Sequence, residues 1–300
     1  MNPRDGGGET SEVSVVIATR DRRDELLRTL ERLTALPERP PVVVVDNGSR
    51  DGTPAAVAAR FPAVRLVALA RNHGAPARNA GVRLTDTPYV AFSDDDSWWE
   101  PGALTRAAAH FARYPALGLL VGRVRLGDGD PGDAPTDHVS EKMATAPLGD
   151  PDDLPGPAVL GFPACAAVVR RDAFTAAGGF DDLVFFGGEE TLLALDLAAR
   201  GWRAAYAADV TARHAPSPRR ALAPRRWALH RRNDLLIRWM RLPLPDAARR
   251  TAGLAAQATH NRAAARALAG LLRRLPEALR RRRAVPGRVT EQVAALGELR

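Results

Sequence analysis

An α/β fold with a mostly parallel sheet flanked by helices is what this sequence predicts, and three observations carry the prediction. Short apolar runs rich in β-branched residues alternate with segments whose apolar residues fall at helical spacing, the pattern of β–α–β units. Acidic or polar residues arrive at the carboxyl ends of those runs, where open α/β sheets bind their ligands. The last third changes character: from Trp227 it reads as Arg-rich helices divided by Pro243, Pro245, Pro276 and Pro286.

Taken in order, residues 13–18 are a β-branched run and predict a buried first strand, closed by Thr19-Arg20-Asp21. Leu26, Leu27, Leu30 and Leu33 then predict an amphipathic helix to about Ala35. Four valines at 42–45 and Asp46 predict a second buried strand, followed by a polar turn over 47–53, a short helix and a third strand at 64–69. Residues 71–81 carry glycines and a helix start beside Arg78 and Asn79, a place suited to an anion. Residues 89–92 predict a short buried strand that delivers three adjacent carboxylates, Asp94, Asp95 and Asp96. A helix from near Pro101 to Tyr114 and a strand at 117–126 follow. Residues 127–160 show no apolar period and predict a long loop. Asp128, Asp130 and Asp133 there fail the EF-hand spacing. Order resumes with a strand at 164–169, a helix at 171–177, and the glycine-rich stretches 178–182 and 185–190. A helix ending at Gly201 and a strand at 206–211 lead to His214.

Composition narrows the function classes. A chain of 300 residues, 45% hydrophobic and 26% charged, has material for a sizeable core. Its one cysteine, Cys165, excludes an internal disulfide and fits a cytoplasmic location. No apolar run approaches the ~20 residues of a membrane span. Residues 201–300 hold 22 Lys and Arg against 6 Asp and Glu, so a basic C-terminal third follows an acidic body. Within it, 271–283 sets leucines among arginines and predicts a basic amphipathic segment able to lie on the inner face of an anionic membrane. Scarce aromatics and the lack of a known motif argue against nucleic acid.

Three neighbouring acids repel one another and make sense beside a cation, most simply Mg²⁺ or Mn²⁺ holding a phosphate. Asp96 is the expected direct ligand, with His214 as a second. The other acids have complementary work. Glu190, at a helix start after Gly187-Gly188, is placed to take a proton from an attacking hydroxyl. Asp46 suits a pyrimidine ring N–H or a ribose, and Trp98 and Trp99 suit the face of a sugar. Glu189 and Glu190 also have a plainer reading as acids that complement a helix dipole.

These residues, in this order, resemble a family 2 glycosyltransferase with the GT-A fold, a Rossmann-like sheet, over about residues 13–240. The resemblance rests on Thr19-Arg20, the Asp46 strand and its 47–53 turn, and Arg71-Asn72-His73-Gly74 with the 77–81 stretch. It rests equally on the Asp94-Asp95-Asp96 metal motif, Gly178-Gly179-Phe180-Asp181 and the Gly188-Glu189-Glu190 base motif. It implies a nucleotide-diphospho-sugar donor held by Thr19, Arg20, Asp46, Asn72, Arg78, Asp94 and Asp95, and an Mn²⁺ or Mg²⁺ ion on Asp96. It further implies inversion with Glu190 as base and a glycan, glycolipid or small-molecule acceptor. His214 resembles the metal-binding His of the actinobacterial branch. Many members carry Asp where this chain has Glu190, which leaves the base open between Glu189 and Glu190. The implied organisation is a disordered lead at 1–12, a catalytic domain at 13–217 and a helical, Arg-rich extension at 218–300. Within the catalytic domain, 13–126 would bind the nucleotide sugar and 161–217 would carry acceptor and base.

Two other classes compete. A sugar-1-phosphate nucleotidyltransferase needs a glycine-rich phosphate loop after the first strand, where this chain has Thr19-Arg20-Asp21-Arg22-Arg23. An inactive, membrane-binding relative would have no reason to keep all the acids. Arg219, Arg220, Arg225, Arg226, Arg231 and Arg232, close after His214, would suit a diphosphate on the donor or on a lipid-linked acceptor.

Overall fold

The computed structural model describes residues 11–129, 134–216 and 224–297. Most of the expected N-terminal lead, Asp130, Asp133, Arg219 and Arg220 lie outside the described residues. The strands are β1 (Val13–Thr19), β2 (Val42–Asp46), β3 (Arg65–Ala68), β4 (Tyr89–Ser93), β5 (Ser97–Trp99), β6 (Leu117–Leu126), β7 (Ala167–Arg170) and β8 (Arg203–His214). They form one sheet in the order β3-β2-β1-β4-β7-β6-β8-β5. The first four pair in parallel. Strand β7 runs antiparallel to β4 and β6, β8 runs parallel to β6, and β5 closes the far edge antiparallel to β8. The parallel half was legible because its strands alternate with helices. The direction of β7 was not, since a strand buried on both faces reads the same either way.

Helices α1 (Arg23–Thr34), α2 (Thr53–Arg60), α3 (Ala77–Val82), α4 (Ala103–Arg113), α5 (His138–Ala144), α6 (Arg171–Ala177) and α7 (Glu189–Ala199) intervene between strands. Strand periodicity divides the core in two. Val13, Val15 and Ile17 with Val42 and Val44 pack toward α1 and α4, while Val16 and Val43 pack toward α3 and α6. In α1, Leu26, Leu30 and Leu33 lie on the buried face, and Asp24 and Glu25 occupy its first turn. Gly81 lets α3 sit close on the sheet: a Cβ there would come within 2.5 Å of Val16 Cγ1.

Three local readings need correction. The 127–160 stretch is not wholly loop, because Asp137 accepts a bond from the Val139 N–H and caps α5. Residues 164–166 form a 3-10 turn before β7. Ser97–Trp99, to which the sequence pattern assigns no element, is a strand paired so that Ser97 lies opposite His214. That last pairing fixes the site, because it brings the end of the acid triplet beside the end of β8.

The C-terminal third forms α8 (Pro224–Arg241), α9 (Leu244–Ala258), α10 (Arg262–Arg280) and α11 (Gly287–Ala295). Pro276 lies inside α10 and does not divide it; a proline removes one backbone donor, and the turns around it are held by buried Leu271 and Ala278. These helices share a third core with α7, in which Leu192 and Leu195 meet Leu235, Leu236, Met240 and Leu271. Of the leucines in the basic segment 271–283, Leu271 is buried in this core, while Leu272 and Leu279 stay exposed. Ionic ties add to it: Arg241 contacts Asp196 at 2.5 Å and Arg281 contacts Asp181 at 2.7 Å. Among the described residues no helix is long and apolar enough to cross a membrane.

Candidate active site

The carboxyl ends of β1, β2 and β4 open onto a pocket of about 530 Å³. One wall comes from the first half of the chain and includes Thr19, Arg20, Asn47, Asn72, Arg78 and Asp94. A second part of the lining is Phe185, Phe186, Glu189 and Glu190, together with Arg226 and His230 from α8.

Asparagines build the first wall. Asn47 donates to the Gly74 carbonyl at 3.0 Å and accepts from the His73 N–H at 2.7 Å, and Asn72 accepts from the Gly74 N–H at 2.8 Å. Gly74 is obligatory here: its φ is +69°, and a Cβ would meet the Phe185 carbonyl oxygen at 2.1 Å. The Ala75 N–H donates to that same carbonyl at 2.7 Å, so the wall leans directly on the segment that precedes the glutamates. Asn79 clasps Phe180 from both sides, accepting from its N–H at 3.0 Å and donating to its carbonyl at 2.8 Å. Two stretches singled out in the sequence, 77–81 and 178–181, thus meet.

The acid triplet divides its work. Asp94 accepts from Arg78 at 2.5 Å. Asp95 accepts from Thr19 Oγ1 at 3.1 Å and contacts Arg22 Nε at 2.7 Å. Asp96 accepts from Arg22 Nη2 at 2.8 Å and faces His214 Nε2 at 3.3 Å. Burial, resisted by Arg22 and reinforced by Asp94 and Asp96, pushes Asp95 up to about 7. Asp94 and Asp95 line the main pocket, whereas Asp96 lines a cavity of about 40 Å³ against α1, with Glu25, Arg28 and Trp98. Arg22 bridges the two sides. Sequence reasoning passed over Arg22, noting its segment only for lacking glycine; the signal was the triplet itself, which needs a cation from somewhere.

Arg78 joins the acids to the glutamates. It is buried, and although burial opposes its charge, Asp94, Glu189 and Glu190 together hold its pKa above the usual guanidinium range. Burial pushes Glu189 up. Burial and then the neighbouring Glu189 charge push Glu190 up to about 8. A carboxylate pair with raised affinity for protons, facing a pocket, suits proton abstraction.

Among the described residues no group of three or more His, Cys, Asp and Glu side chains is arranged to hold a metal. The pair Asp96 Oδ1 and His214 Nε2, 3.3 Å apart, nevertheless fits two adjacent ligands of one ion. Neighbouring ligands at ~2.1 Å in an octahedral shell lie about 3 Å apart, and Mg²⁺ commonly takes one or two carboxylates and completes its shell with phosphate and water. Among the described residues the buried His214 Nε2 makes no hydrogen bond beyond this approach to Asp96, which also suits a ligand position.

The remaining expected site residues are placed differently. Asp46 is 2% exposed, lies under the pocket opposite Thr19 in the β1–β2 ladder, and accepts from the Ser49 N–H; its neighbour Asn47 reaches the pocket wall. Trp99 is fully buried, and its ring lies 3.2 Å from where a Cβ on Gly122 would be. Trp98 lies under the Arg32 guanidinium at 4.3 Å. Both tryptophans are set into the β5 edge and line a second pocket of about 580 Å³ with Arg32, Glu100 and Arg213, rather than the pocket that holds the glutamates. Phe186, 41% exposed at the pocket rim, is the aromatic that sequence reasoning overlooked.

The family model described as Glycosyl transferase family 2 matches residues 14–177. N-acetylglucosaminyl-diphospho-decaprenol L-rhamnosyltransferase of Mycobacterium tuberculosis is 29% identical over 275 residues, covering 78% of this chain and 88% of the relative. Pre-mycofactocin glycosyltransferase of the same organism is 30% identical over 211 residues, covering 68% of this chain and 43% of that one. Among solved structures, the mannosyltransferase PcManGT from Pyrobaculum calidifontis in complex with GDP-Man and Mn²⁺ aligns with a TM-score of 0.53 at 23% identity. It covers 96% of this chain and 85% of that chain, a likeness of GT-A fold.

Proposed function

Because this chain belongs to glycosyl transferase family 2 and is a glycosyltransferase, we propose that it transfers a sugar, with inversion, from a nucleotide-diphospho-sugar to an acceptor hydroxyl in cell-envelope or secondary-metabolite chemistry. The observation that carries this reading is Arg78, held between Asp94 on the donor wall and the Glu189–Glu190 pair on the other.

The donor lies along Thr19, Arg20, Asn47, Asn72 and Asp94. Arg20 and Arg78 face its diphosphate and balance its charge. Glu190 takes the proton of the acceptor hydroxyl as that oxygen bonds to the anomeric carbon. The bond from that carbon to the diphosphate breaks on the opposite face, and the nucleoside diphosphate leaves with the electron pair. Glu189, more deeply buried, sets the proton affinity of Glu190. Asp96 and His214 would hold a divalent ion, Mn²⁺ or Mg²⁺, which supplies Lewis-acid neutralisation of the leaving diphosphate. The rhamnosyltransferase relative supports a deoxyhexose donor and a sugar-diphospho-lipid acceptor, with the enzyme working at the inner membrane face.

The test is release of UDP, dTDP or GDP from a panel of nucleotide sugars, with Mn²⁺ and with chelator. Release from one sugar, lost in Glu190→Gln and in Asp96→Asn, is the expected result. Full turnover in both variants would overturn the site, and no release from any donor would overturn the reaction.

A further inference from the structure

The wall facing the donor side is built by one face of α8. Arg226, His230, Asn233 and Ile237 recur at helical spacing and all point at the segment 184–188. Asn233 is fully buried and donates to the carbonyls of Val184, Phe186 and Gly187 at 2.9, 2.9 and 2.7 Å. His230 packs on Gly187 so closely that a Cβ there would lie 2.6 Å from its ring. One turn earlier, at the mouth, the Arg226 guanidinium lies over the Phe186 ring at 5.6 Å, and the His230 ring meets Phe186 edge-on at 6.4 Å.

Two features of this corner call for a ligand. Arg226 has no carboxylate partner among the described residues; its one polar contact is His230 at 3.4 Å. The other arginines that line this pocket, Arg20 and Arg78, contact Asp21 and Asp94. Phe186 is a large apolar ring left exposed beside the glutamate pair. His230 is held below the usual imidazole range by burial and then by Arg226, so it offers a neutral ring.

Inverting displacement places the attacking hydroxyl opposite the leaving diphosphate, and so on the α8 side of the pocket. Resting on the proposed transferase reading, we infer that Phe186, Arg226 and His230 form the acceptor subsite, and that the acceptor is a sugar carrying a phosphate or diphosphate at its reducing end. Phe186 takes the sugar face, Arg226 takes the anionic group, and His230 holds both in place. This assigns an acceptor role to α8, which lies beyond the stretch matched by the family model.

The test compares two acceptors in the full-length enzyme: N-acetylglucosaminyl diphosphate on a short lipid, and octyl N-acetylglucosaminide, which has the same sugar without the anion. The wild type is expected to prefer the diphosphate. Arg226→Gln is expected to raise KM for it at least 10-fold, leave octyl glycoside KM unchanged and leave donor KM unchanged. Phe186→Ala is expected to raise KM for both acceptors, and Arg226→Lys to restore part of the preference. An unchanged diphosphate KM in Arg226→Gln, or equal loss on both acceptors, overturns the anion assignment. Donor hydrolysis by the wild type with neither acceptor used would preserve the transferase reading and overturn this acceptor class. No activity on any donor would overturn the transferase reading instead.

Discussion

Arg22 Nη2 lies 2.8 Å from Asp96 Oδ2 while its Nε lies 2.7 Å from Asp95 Oδ1, so one guanidinium holds two neighbouring carboxylates together. The acid triplet therefore has a cation supplied by the chain itself. Arg22→Gln is expected to lower thermal stability without metal, because two buried acids lose their partner, and to make stability depend more steeply on added Mn²⁺. Differential scanning fluorimetry across a Mn²⁺ titration checks this. Equal melting temperatures for wild type and variant in chelator would contradict it.

His214 and Asp96 are expected to act as a unit on metal binding. His214→Ala and Asp96→Asn should each lower Mn²⁺ affinity, read by electron paramagnetic resonance of free Mn²⁺, and lower turnover by about 10²–10³-fold, the cost of removing one electrostatic stabiliser of a developing charge. The double variant should lose little more than either single one. Independent, additive losses would mean that the two do not share an ion.

The carboxyl that abstracts the proton should be distinguishable from its neighbour. Glu190→Gln is expected to lower turnover about 10²–10⁴-fold with donor affinity retained. Since a base must be unprotonated, kcat/KM should rise with pH toward a plateau above about 8. Glu189→Gln removes the charge that raises Glu190, so its pH profile should move to lower pH. A pH-independent wild type between 6 and 9 would be incompatible with this assignment.

Stability should vary in the opposite sense. Glu190 binds its proton more tightly when folded, about 8, than at its ordinary value of 4.5. Between those limits the folded chain holds a proton that the unfolded chain has released, so unfolding becomes easier as pH rises. Its contribution is complete below 4.5 and lost as pH passes about 8. In ligand-free protein, the stability difference between Glu190→Gln and wild type should widen in favour of the variant across that window, measured by urea melts. A difference that does not vary with pH would count against it.

Asn233→Ala should strip three carbonyls of their donor and cost about 1–3 kcal/mol of stability. Its signature is kinetic: kcat falls while donor Kd, measured by calorimetry, stays put, since the donor wall is built by other residues. A rise in donor Kd with unchanged kcat would show that the contact serves binding instead.

The strands and the acids were readable because β-branched runs and clustered carboxylates are local signals. Residues 42–46, 117–126 and 171–177 have the boundaries their patterns imply. What escaped depends on partners distant in sequence. The strand that carries Trp98 and Trp99 exists only because β5 pairs with β8, more than a hundred residues on. That α10 lies against α8 and α9 and buries Leu271 is likewise absent from the local pattern. Arg22 was hidden for the same reason, since its use becomes visible only when α1 is set beside the triplet. Asn233 and Phe186 belong to a corner formed by segments whose separate patterns are an ordinary helix and a glycine-rich turn.

The segment that carries the two glutamates is thus gripped twice, by the Ala75 N–H and by Asn233. Neither grip belongs to the helix that bears the carboxylates. Chimeras that exchange the C-terminal helices between homologues to change acceptor choice would carry over the rim yet disturb catalytic alignment, unless the 184–188 segment travels with them. Donor choice, written in the other half, should survive such a graft.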